Sequence, residues 1–345
     1  MGQPPATGLR DQLSLEPWLV SRLAAAQEQL GRLWPLPQLW PAFAQLERGP
    51  LLARAAAQEV RHLGLEVNLA ELLGLGPEPR PTRPAKALRW AVGLTLAFRQ
   101  LEAADPSAPL VPSLVGQICL NLDAPHLARG AQAPSPPAGP LAGAAVWTLA
   151  PRMAGAGIAP LMVVGLTLAS WEREGPDTPQ RSPAGRVLAW GLARGLGLMP
   201  TGFLGLAPAL MRAAQDQPGG LPEVLREVRQ GAAWRRWLGV FLGAVELAAQ
   251  DVANTALAAR ELYLGHQDML TTWVRAPRHP LRLLELFLTR PVLELPLAAE
   301  ALGVTQRTAG LLAGKLLDQG LIQEITGQQR GRRFAYAPLI ELLEQ

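Results

Sequence analysis

Apolar residues recur along the first 270 residues at the spacing of an α-helix. Leu65, Leu69, Leu72 and Leu73, for example, stand at i, i+4, i+7 and i+8, which places them on one helical face. No segment before residue 320 alternates apolar and polar residues as a half-buried strand would. We therefore predict that this part of the chain is an α-helical assembly, and we find no internal repeat in it.

Clusters of proline and glycine divide the chain into helical segments. The clusters are GPEPRPTRPAK (76–86), ADPSAP (104–109), GAQAPSPPAGP (130–140), EGPDTPQRSPAG (174–185) and RAPRHP (275–280). Pro222 followed by Glu223 indicates a first helical turn. Residues 232–265 contain no proline and predict one long helix that ends at Gly265, since glycine commonly closes a helix.

An uncharged run, MAGAGIAPLMVVGLTLASW (153–171), has the length of a membrane span. Pro160 lies near its middle, small residues precede that proline, and Thr167 and Ser170 dilute the remainder. These features favour a central helix of a large helical domain. The first residues of the chain show no secretory signal, so we expect a cytoplasmic protein that does not contact membrane.

The pattern changes after His279, where three short amphipathic helices are followed by two strands. The helices are HPLRLLELFLTR, LPLAAEALG and TQRTAGLLAGKLLDQG, and the strands LIQEIT and RFAYAP flank the tip GQQRGR. Gly303 and Val304 form the turn between the second and third helices, and Thr305 can cap the third through its hydroxyl. The arrangement predicts a winged helix-turn-helix. Its inward positions hold Ala299, Ala309, Leu312 and Leu316.

A winged helix-turn-helix places the start of its third helix in the major groove of DNA and its wing on the backbone. The side chains that we expect to contact DNA are Thr305, Gln306, Arg307, Lys315, Arg330, Arg332 and Arg333. The predicted partner is therefore double-stranded DNA.

Two other uses of this module remain open, because winged helices also bind proteins or serve as structural elements. From residue 278 to residue 345 the chain has eight Lys or Arg and seven Asp or Glu, a net charge of only +1. Gly310, Leu311 and Gly314 on the third helix offer DNA no side-chain donor. A protein-binding module is the main alternative.

The composition excludes several classes of protein. Of 345 residues, 49% are hydrophobic and 17% are charged, which excludes a disordered chain and allows two or three domains. Cys119 is the single cysteine, so a disulfide scaffold and a cysteine-rich zinc site are excluded, and we expect a buried thiol. The net charge of +4 is mild, so attraction to DNA must come from a local patch.

Five segments, in order, give the chain a resemblance to a known family. They are LLARAAAQEVRHLGLEVNLAELL, PLMVVGLTLASWEREGP, AGRVLAWGLARGLGLMP, PEVLREVRQGAAWRRWLGVFLGAV and the winged helix. Together they resemble Fic-family proteins that carry a C-terminal helix-turn-helix, over most of residues 50–345. The implied fold is mainly α: a Fic-like helical domain followed by a small winged helix-turn-helix domain with a β wing.

As the resemblance implies, the activity of the family is transfer of a nucleotidyl group from ATP to a protein hydroxyl. The family motif has a histidine base, an acidic metal ligand and a glycine-rich phosphate turn before a helix, which we take to start at Gly185. The matching positions hold Gly175 for the base, Pro179 for the metal ligand and residues 180–182 for the phosphate turn. Glycine cannot accept a proton and proline cannot ligate a metal. We therefore expect no catalysis, no metal and no cofactor.

The family also has a self-inhibitory segment, in which a serine stands four residues before a Glu-Gly pair. Here Glu59 stands in place of the serine and Leu63 in place of the glutamate, and Gly64 is kept, so this segment looks degenerate as well. Arg181 and Arg186, near the helix start, remain as anion-binding candidates beside Asp177, although a solvated loop is the simpler interpretation. The four histidines, His62, His126, His266 and His279, are isolated in sequence and are expected in packing or at the surface.

These features lead to one functional hypothesis and one alternative. We expect an N-terminal helical segment (1–50), a degenerate Fic-like domain (51–274) and a winged helix-turn-helix domain (275–345). The hypothesis is a homodimeric DNA-binding transcriptional regulator, with the helix after Ala232 as the dimer interface. The alternative is a nucleotide- or ligand-binding pseudoenzyme whose winged helix contacts protein.

Overall fold

The structure is a computed structural model. It describes residues 16–75, 86–105, 110–122, 143–155, 157–199, 205–273, 278–327 and 331–345. The expected mainly helical architecture is confirmed: a large helical body precedes a small module that contains a three-stranded sheet. The clusters at 76–86, 104–109, 130–140 and 275–280 lie wholly or partly outside the described residues.

The body is built from packed helices, and its central helices Pro160–Glu174 and Arg181–Gly195 are buried on most sides. In chain order they are α1 (Pro17–Gly31), α2 (Leu36–Leu39), α3 (Phe43–Leu46), a π-helical turn (Glu47–Leu51), α4 (Leu52–His62), α5 (Leu69–Gly74), α6 (Lys86–Ala103), α7 (Pro112–Leu122), α8 (Ala145–Gly155), α9 (Pro160–Glu174), α10 (Arg181–Gly195), α11 (Leu206–Ala213), α12 (Gly220–Arg229) and α13 (Trp234–Trp273). The predicted first turn at Pro222 lies inside α12, which starts two residues earlier.

The uncharged run at 153–171 spans the end of α8 and most of α9. Pro160 is the first residue of α9, where its fixed φ fits the helix and its missing N–H leaves no bond unmade. At the middle of the body, Gly165 lets the helix pack closely on α13, and its carbonyl accepts a hydrogen bond from Trp237 Nε1 at 2.8 Å. Among the described residues, no helix is both long enough and apolar enough to span a bilayer.

The long helix α13 was expected to end at Gly265, and that prediction is wrong. The helix continues to Trp273, and Gly265 lies in its interior. Tertiary contacts beyond the glycine explain the continuation. His266 Nδ1 lies 2.7 Å from the hydroxyl of Tyr336, and Leu270 is buried. Such contacts outweigh the roughly 1 kcal/mol by which glycine disfavours a helix.

The C-terminal module follows the predicted order of helices and wing. Its elements are α14 (Arg278–Thr289), β1 (Val292–Glu294), α15 (Leu295–Leu302), α16 (Gln306–Asp318), β2 (Gln323–Glu324), β3 (Arg333–Ala335) and α17 (Ala337–Glu344). The strands form an antiparallel sheet in the order β1-β3-β2, with Leu293 opposite Phe334. Strand β1 corrects the expectation of no strand before residue 320. It has only three residues, too few for alternation to be visible.

The predicted turn and cap of the helix-turn-helix are confirmed. Gly303 has φ +66°, a conformation that glycine adopts without strain. The hydroxyl of Thr305 accepts a hydrogen bond from the Thr308 N–H at 3.2 Å and so caps α16. Ala309 and Leu316 are fully buried, as their inward positions require.

The module is tied to the body through its last helix. Buried Arg54 on α4 donates from Nε to the carbonyl oxygen of Leu343 on α17 at 2.9 Å. The same guanidinium holds Asp251 on α13 through two further hydrogen bonds, of 2.6 Å and 3.1 Å. One side chain therefore links the long helix of the body to the C-terminal helix of the module.

Candidate nucleic-acid interface

The start of α16 presents polar side chains to solvent. Gln306, Arg307 and Thr308 are exposed there, and Lys315 is exposed two turns later. The structure gives Arg307 and Lys315 no ion pair with any residue it describes. The Thr305 hydroxyl is the exception, because it is already engaged as the helix cap. Gln306, Arg307 and Lys315 are therefore the predicted residues on α16 whose polar atoms remain available to DNA.

The exposed face of α16 also carries apolar surface. Leu311 is 65% exposed, and Leu297 on the preceding helix is 44% exposed. Gly310 and Gly314 add no side chain on this helix. Such a face can lie against thymine methyl groups or against an apolar protein surface. Thr308, which we did not single out from the sequence, lies beside Arg307, and its hydroxyl is hydrogen-bonded to the Thr305 hydroxyl at 2.9 Å, so it supports the cap.

The wing holds two of its three predicted arginines in place through carboxylates. Arg333 Nε donates to Glu294 Oε1 at 3.0 Å, across the β1–β3 pair. Arg332 lies with its guanidinium carbon 4.9 Å from the centre of the Phe334 ring, and its Nε is 3.9 Å from Glu324 Oε2. Arg330 lies outside the described residues.

Glu324 also organises the tip of the wing. Its Oε1 accepts hydrogen bonds from the Thr326 hydroxyl, from the Thr326 N–H at 3.0 Å and from the Gly327 N–H at 2.9 Å. The hydroxyl contact is the main cause that lowers the pKa of Glu324, and the backbone contacts and Arg332 act in the same direction. An ionised Glu324 therefore fixes the backbone at Thr326 and Gly327.

A second feature is a cleft of about 400 Å³ at the start of α10, where the Fic-like motif would lie. Its lining residues are His62, Leu63, Asp177, Thr178, Pro179, Arg181, Ser182, Arg186 and Arg229. Helix α10 begins at Arg181, four residues before the start that we expected at Gly185. The cleft therefore brings together both predicted anion-binding arginines and a third, Arg229, which we had not considered.

Arg186 is buried and faces a carboxylate of the body. Its Nε donates to Oε2 of Glu59 at 2.7 Å, and its Nη2 lies 2.6 Å from the same oxygen, too far off axis for a second hydrogen bond. Oε1 of Glu59 accepts from the Ala207 N–H at 3.2 Å. Glu59, which the resemblance placed at the family's serine position, thus supplies the counter-ion of Arg186.

Arg181 and Arg229 also have partners inside the protein. Arg181 donates to the carbonyl oxygens of Pro176 at 2.7 Å and Glu172 at 3.3 Å, and to Asp177 Oδ1 at 2.8 Å. Arg229 Nη2 lies 2.9 Å from Oε2 of buried Glu172. An incoming anion would have to compete with these groups, and anion binding by Arg181 and Arg186 stays a prediction.

Gly175, which we matched to the histidine base of the family, is packed against Trp171. A Cβ atom built on Gly175 would lie 2.6 Å from the Trp171 carbonyl oxygen and 3.1 Å from its indole ring. The Gly175 N–H donates to that carbonyl at 2.7 Å. A side chain at this position would therefore require Trp171 to move.

The turn before α10 offers few N–H groups to a phosphate. Pro179 in this turn and Pro183 in the first turn of α10 have no N–H, and the Arg181 N–H donates to the Thr178 carbonyl at 3.1 Å. A phosphate cradle needs a run of N–H groups that point at one place. The geometry of this turn does not supply that run.

His62 lies at the edge of this cleft, and no sequence signal placed it there. Burial is the main cause that lowers the pKa of His62. The positive charge of Arg186 lowers this pKa further, and the negative charge of Glu59 opposes the shift. Its imidazole is therefore neutral near pH 7. No cluster of three or more His, Cys, Asp or Glu suited to a metal is found within the part of the chain that the structure describes.

Comparisons with known proteins agree with the two parts of the molecule. Residues 281–335 match the family model of an HTH DNA binding domain. The fold is similar to the crystal structure of a Fic family protein from Desulfovibrio desulfuricans G20, with 14% identity, a TM-score of 0.51 and coverage of 97% of this chain and 98% of that chain. No curated protein matches the sequence.

The expected combination of a Fic-like fold and a C-terminal helix-turn-helix is thus confirmed. At 14% identity the structural likeness defines the fold and not the chemistry. The family match and the geometry of α16 support a DNA-binding protein.

Proposed function

We propose that this protein is a transcriptional regulator that reads double-stranded DNA with α16, while its Fic-like body is catalytically inactive. The observation that carries the proposal is the exposed start of α16, where Gln306 and Arg307 face solvent within a segment that matches an HTH DNA binding domain. Helices in this position enter the major groove with their N-terminal residues on base edges.

The predicted contacts divide by chemistry. Gln306 and Arg307 can reach base edges, because amides pair with adenine and guanidinium groups with guanine. Lys315 and the wing residues Arg330, Arg332 and Arg333 serve phosphates, which position the protein without reading sequence. Thr305 contributes through the cap that orients the first turn.

The inactivity of the body rests on three features of the degenerate motif. Gly175 has no group that accepts a proton, Pro179 cannot hold a metal, and the prolines of the turn remove phosphate-binding N–H groups. We accordingly propose no metal and no cofactor. The body instead supports dimerisation or partner binding, with α13 as the interface in a cytoplasmic homodimer. The proposed boundaries remain 1–50, 51–274 and 275–345.

The test is selection of bound fragments from a random DNA pool at about 0.15 M salt, where non-specific attraction is partly screened. The expected result is one enriched sequence with two half-sites about 34 Å apart, as a dimeric reader requires. Arg307→Gln should abolish the enrichment. Arg212→Gln, an exposed arginine on α11, is the matched control and should retain it. A pool without enrichment would refute sequence-specific reading.

The second candidate is a nucleotide-binding pseudoenzyme whose module contacts protein. The cleft with Arg181, Arg186 and Arg229 favours it, as does the exposed apolar surface at Leu311. Calorimetry with ATP and GTP, with and without Mg²⁺, separates the two proposals. Micromolar nucleotide binding that Arg181→Gln removes would favour the pseudoenzyme.

A further inference from the structure

A separate cleft lies where the body meets the helix-turn-helix. It encloses about 470 Å³ between the π-helical turn, α5, α6 and the end of α14. This volume lies within the range of small-molecule sites in proteins. π-Helical turns are also frequent at functional sites. We name this space the junction cleft.

Its charged residues are three arginines and one glutamate: Arg48, Arg99, Arg290 and Glu102. Arg48 Nε donates to Glu102 Oε1 at 2.8 Å, so one positive charge is matched. No ion pair of Arg290 occurs among the described residues. The formal charges of the four charged lining residues sum to +2, and Arg290 carries the positive charge that no described carboxylate pairs with.

The junction cleft sets guanidinium groups of like charge against each other. Burial is the largest cause that lowers the pKa of Arg99, Glu102 opposes it, and the positive charge of Arg290 lowers it further. An anion beside Arg290 would relieve this repulsion and would form charge-assisted hydrogen bonds with the Arg290 guanidinium.

Apolar and neutral polar groups complete the lining. Leu72, Leu73, Ala53 and Pro291 supply apolar surface. At the rim, the Thr289 hydroxyl donates to Gln45 Oε1 at 2.7 Å. A ligand that fits these surroundings has an anionic group for the arginines and a compact apolar part for the leucines.

The junction cleft is also close to the DNA-reading module. Thr289 ends α14, and Arg290 and Pro291 lead directly into β1, which pairs with β3 of the wing. Across that pair, Glu294 holds Arg333. A Cβ atom on Gly49 would lie 2.7 Å from the Thr289 carbonyl oxygen, so the body and α14 are in close contact here.

We propose that the junction cleft binds a small organic anion, a carboxylate or phosphate ester with a compact apolar part, and that this ligand is an effector of DNA binding. The effector role rests on the proposed function, whereas ligand binding does not. Occupancy would alter the packing of Thr289 against the body at Gly49, and so the placement of β1 and the wing.

The first experiment is calorimetric titration of the full chain with benzoate and with phenyl phosphate as probes, and with benzyl alcohol as a neutral control. The expected result is saturable binding of at least one anion at one site, and none of the alcohol. The better anion identifies the carboxylate or the phosphate class. Absence of binding by both anions would overturn the proposal.

Variants then locate the site. Arg290→Gln is expected to raise the Kd of the bound probe at least about tenfold. Arg48→Gln, on an exposed side chain, should weaken binding even if Arg290→Gln impairs folding. Arg212→Gln is the matched control and should not change the Kd. Binding that survives both Arg48→Gln and Arg290→Gln unchanged would overturn the assignment.

DNA affinity measured with and without the bound probe separates the two proposals. A change in DNA affinity that is lost in Arg290→Gln supports the effector role. Anion binding by a chain without DNA affinity would refute the proposed function and the effector role, and the ligand site would stand. DNA binding by a chain that binds neither anion would refute the present proposal alone.

Discussion

Glu59 and Arg186, 127 residues apart in sequence, form a buried ion pair with 2.7 Å between Oε2 and Nε. Their side chains are 3% and 4% exposed, so both charges are removed from water and each depends on the other. The pair joins α4 to α10 beneath the cleft of the degenerate motif. The pair therefore fixes the position of α10 relative to α4.

Removal of the carboxylate charge should destabilise the protein strongly. Glu59→Gln leaves Arg186 buried without a counter-ion, and we expect the free energy of unfolding to fall by about 3 to 5 kcal/mol. Urea denaturation measures the change. Glu28→Gln, in the exposed pair with Arg32, is the control and should cost less than about 1 kcal/mol. Equal effects of the two variants would show that the Glu59–Arg186 pair contributes little.

Introduction of a histidine at Gly175, the position that we assign to the family's base, should not produce nucleotidyl-transfer activity. Gly175→His forces a side chain against Trp171, and we expect a loss of about 1 to 3 kcal/mol from overpacking and no nucleotidyl transfer. Thermal unfolding and labelled ATP give the two readouts. Thr178→His, on an exposed residue of the same loop, should change stability by less than about 0.5 kcal/mol. A stable, active Gly175→His protein would contradict the packing described.

Two helical glycines should respond to alanine in opposite ways. Gly265 has open space around it inside α13, so Gly265→Ala should stabilise the protein by about 0.5 to 1 kcal/mol. At Gly165 in α9, a Cβ atom would lie 2.6 Å from Phe241 Cδ1. Gly165→Ala should therefore destabilise by about 1 to 3 kcal/mol. Chemical denaturation of both variants tests the pair, and effects of the same sign would count against it.

Stability should fall on mild acidification. Burial lowers the pKa of His62 and of His266, so the unfolded chain binds more protons than the native chain just below the usual histidine pKa. The stability that the two neutral histidines contribute is complete above the usual histidine pKa. It is lost as the pH falls toward their lower pKa values in the folded protein. Urea denaturation at about pH 7.5 and about pH 5.5 should show the loss, and His62→Gln with His266→Gln should reduce it. If the double variant loses as much stability on acidification as wild type, groups other than His62 and His266 cause the loss.

The sequence predicted the elements that local physics determines. Helical spacing gave the body, and the hydroxyl of Thr305 together with Gly303 gave the turn and cap of the reading helix. The end of α13 was misplaced, because distant contacts at His266 and Leu270 override the local preference of Gly265.

The sites themselves were only partly predictable. Arg181 and its ion-pair partner Asp177, four residues earlier, were both found from the sequence, but Glu59, the partner of Arg186, lies on another helix 127 residues away. A single sequence carries no signal for such long-range pairs. The junction cleft was missed for the same reason, since its lining comes from separate segments of the body and from the end of α14.

The dependence of DNA affinity on salt tests the role of α16 most directly. Binding of wild type to its selected DNA should weaken linearly in log–log form as salt rises, and Arg307→Gln should weaken binding with little change in slope, because we place Arg307 on a base edge. A slope reduced by about 0.9 would place Arg307 on a phosphate instead. Arg212→Gln should match wild type. Unchanged affinity and slope in Arg307→Gln would contradict DNA reading by this helix.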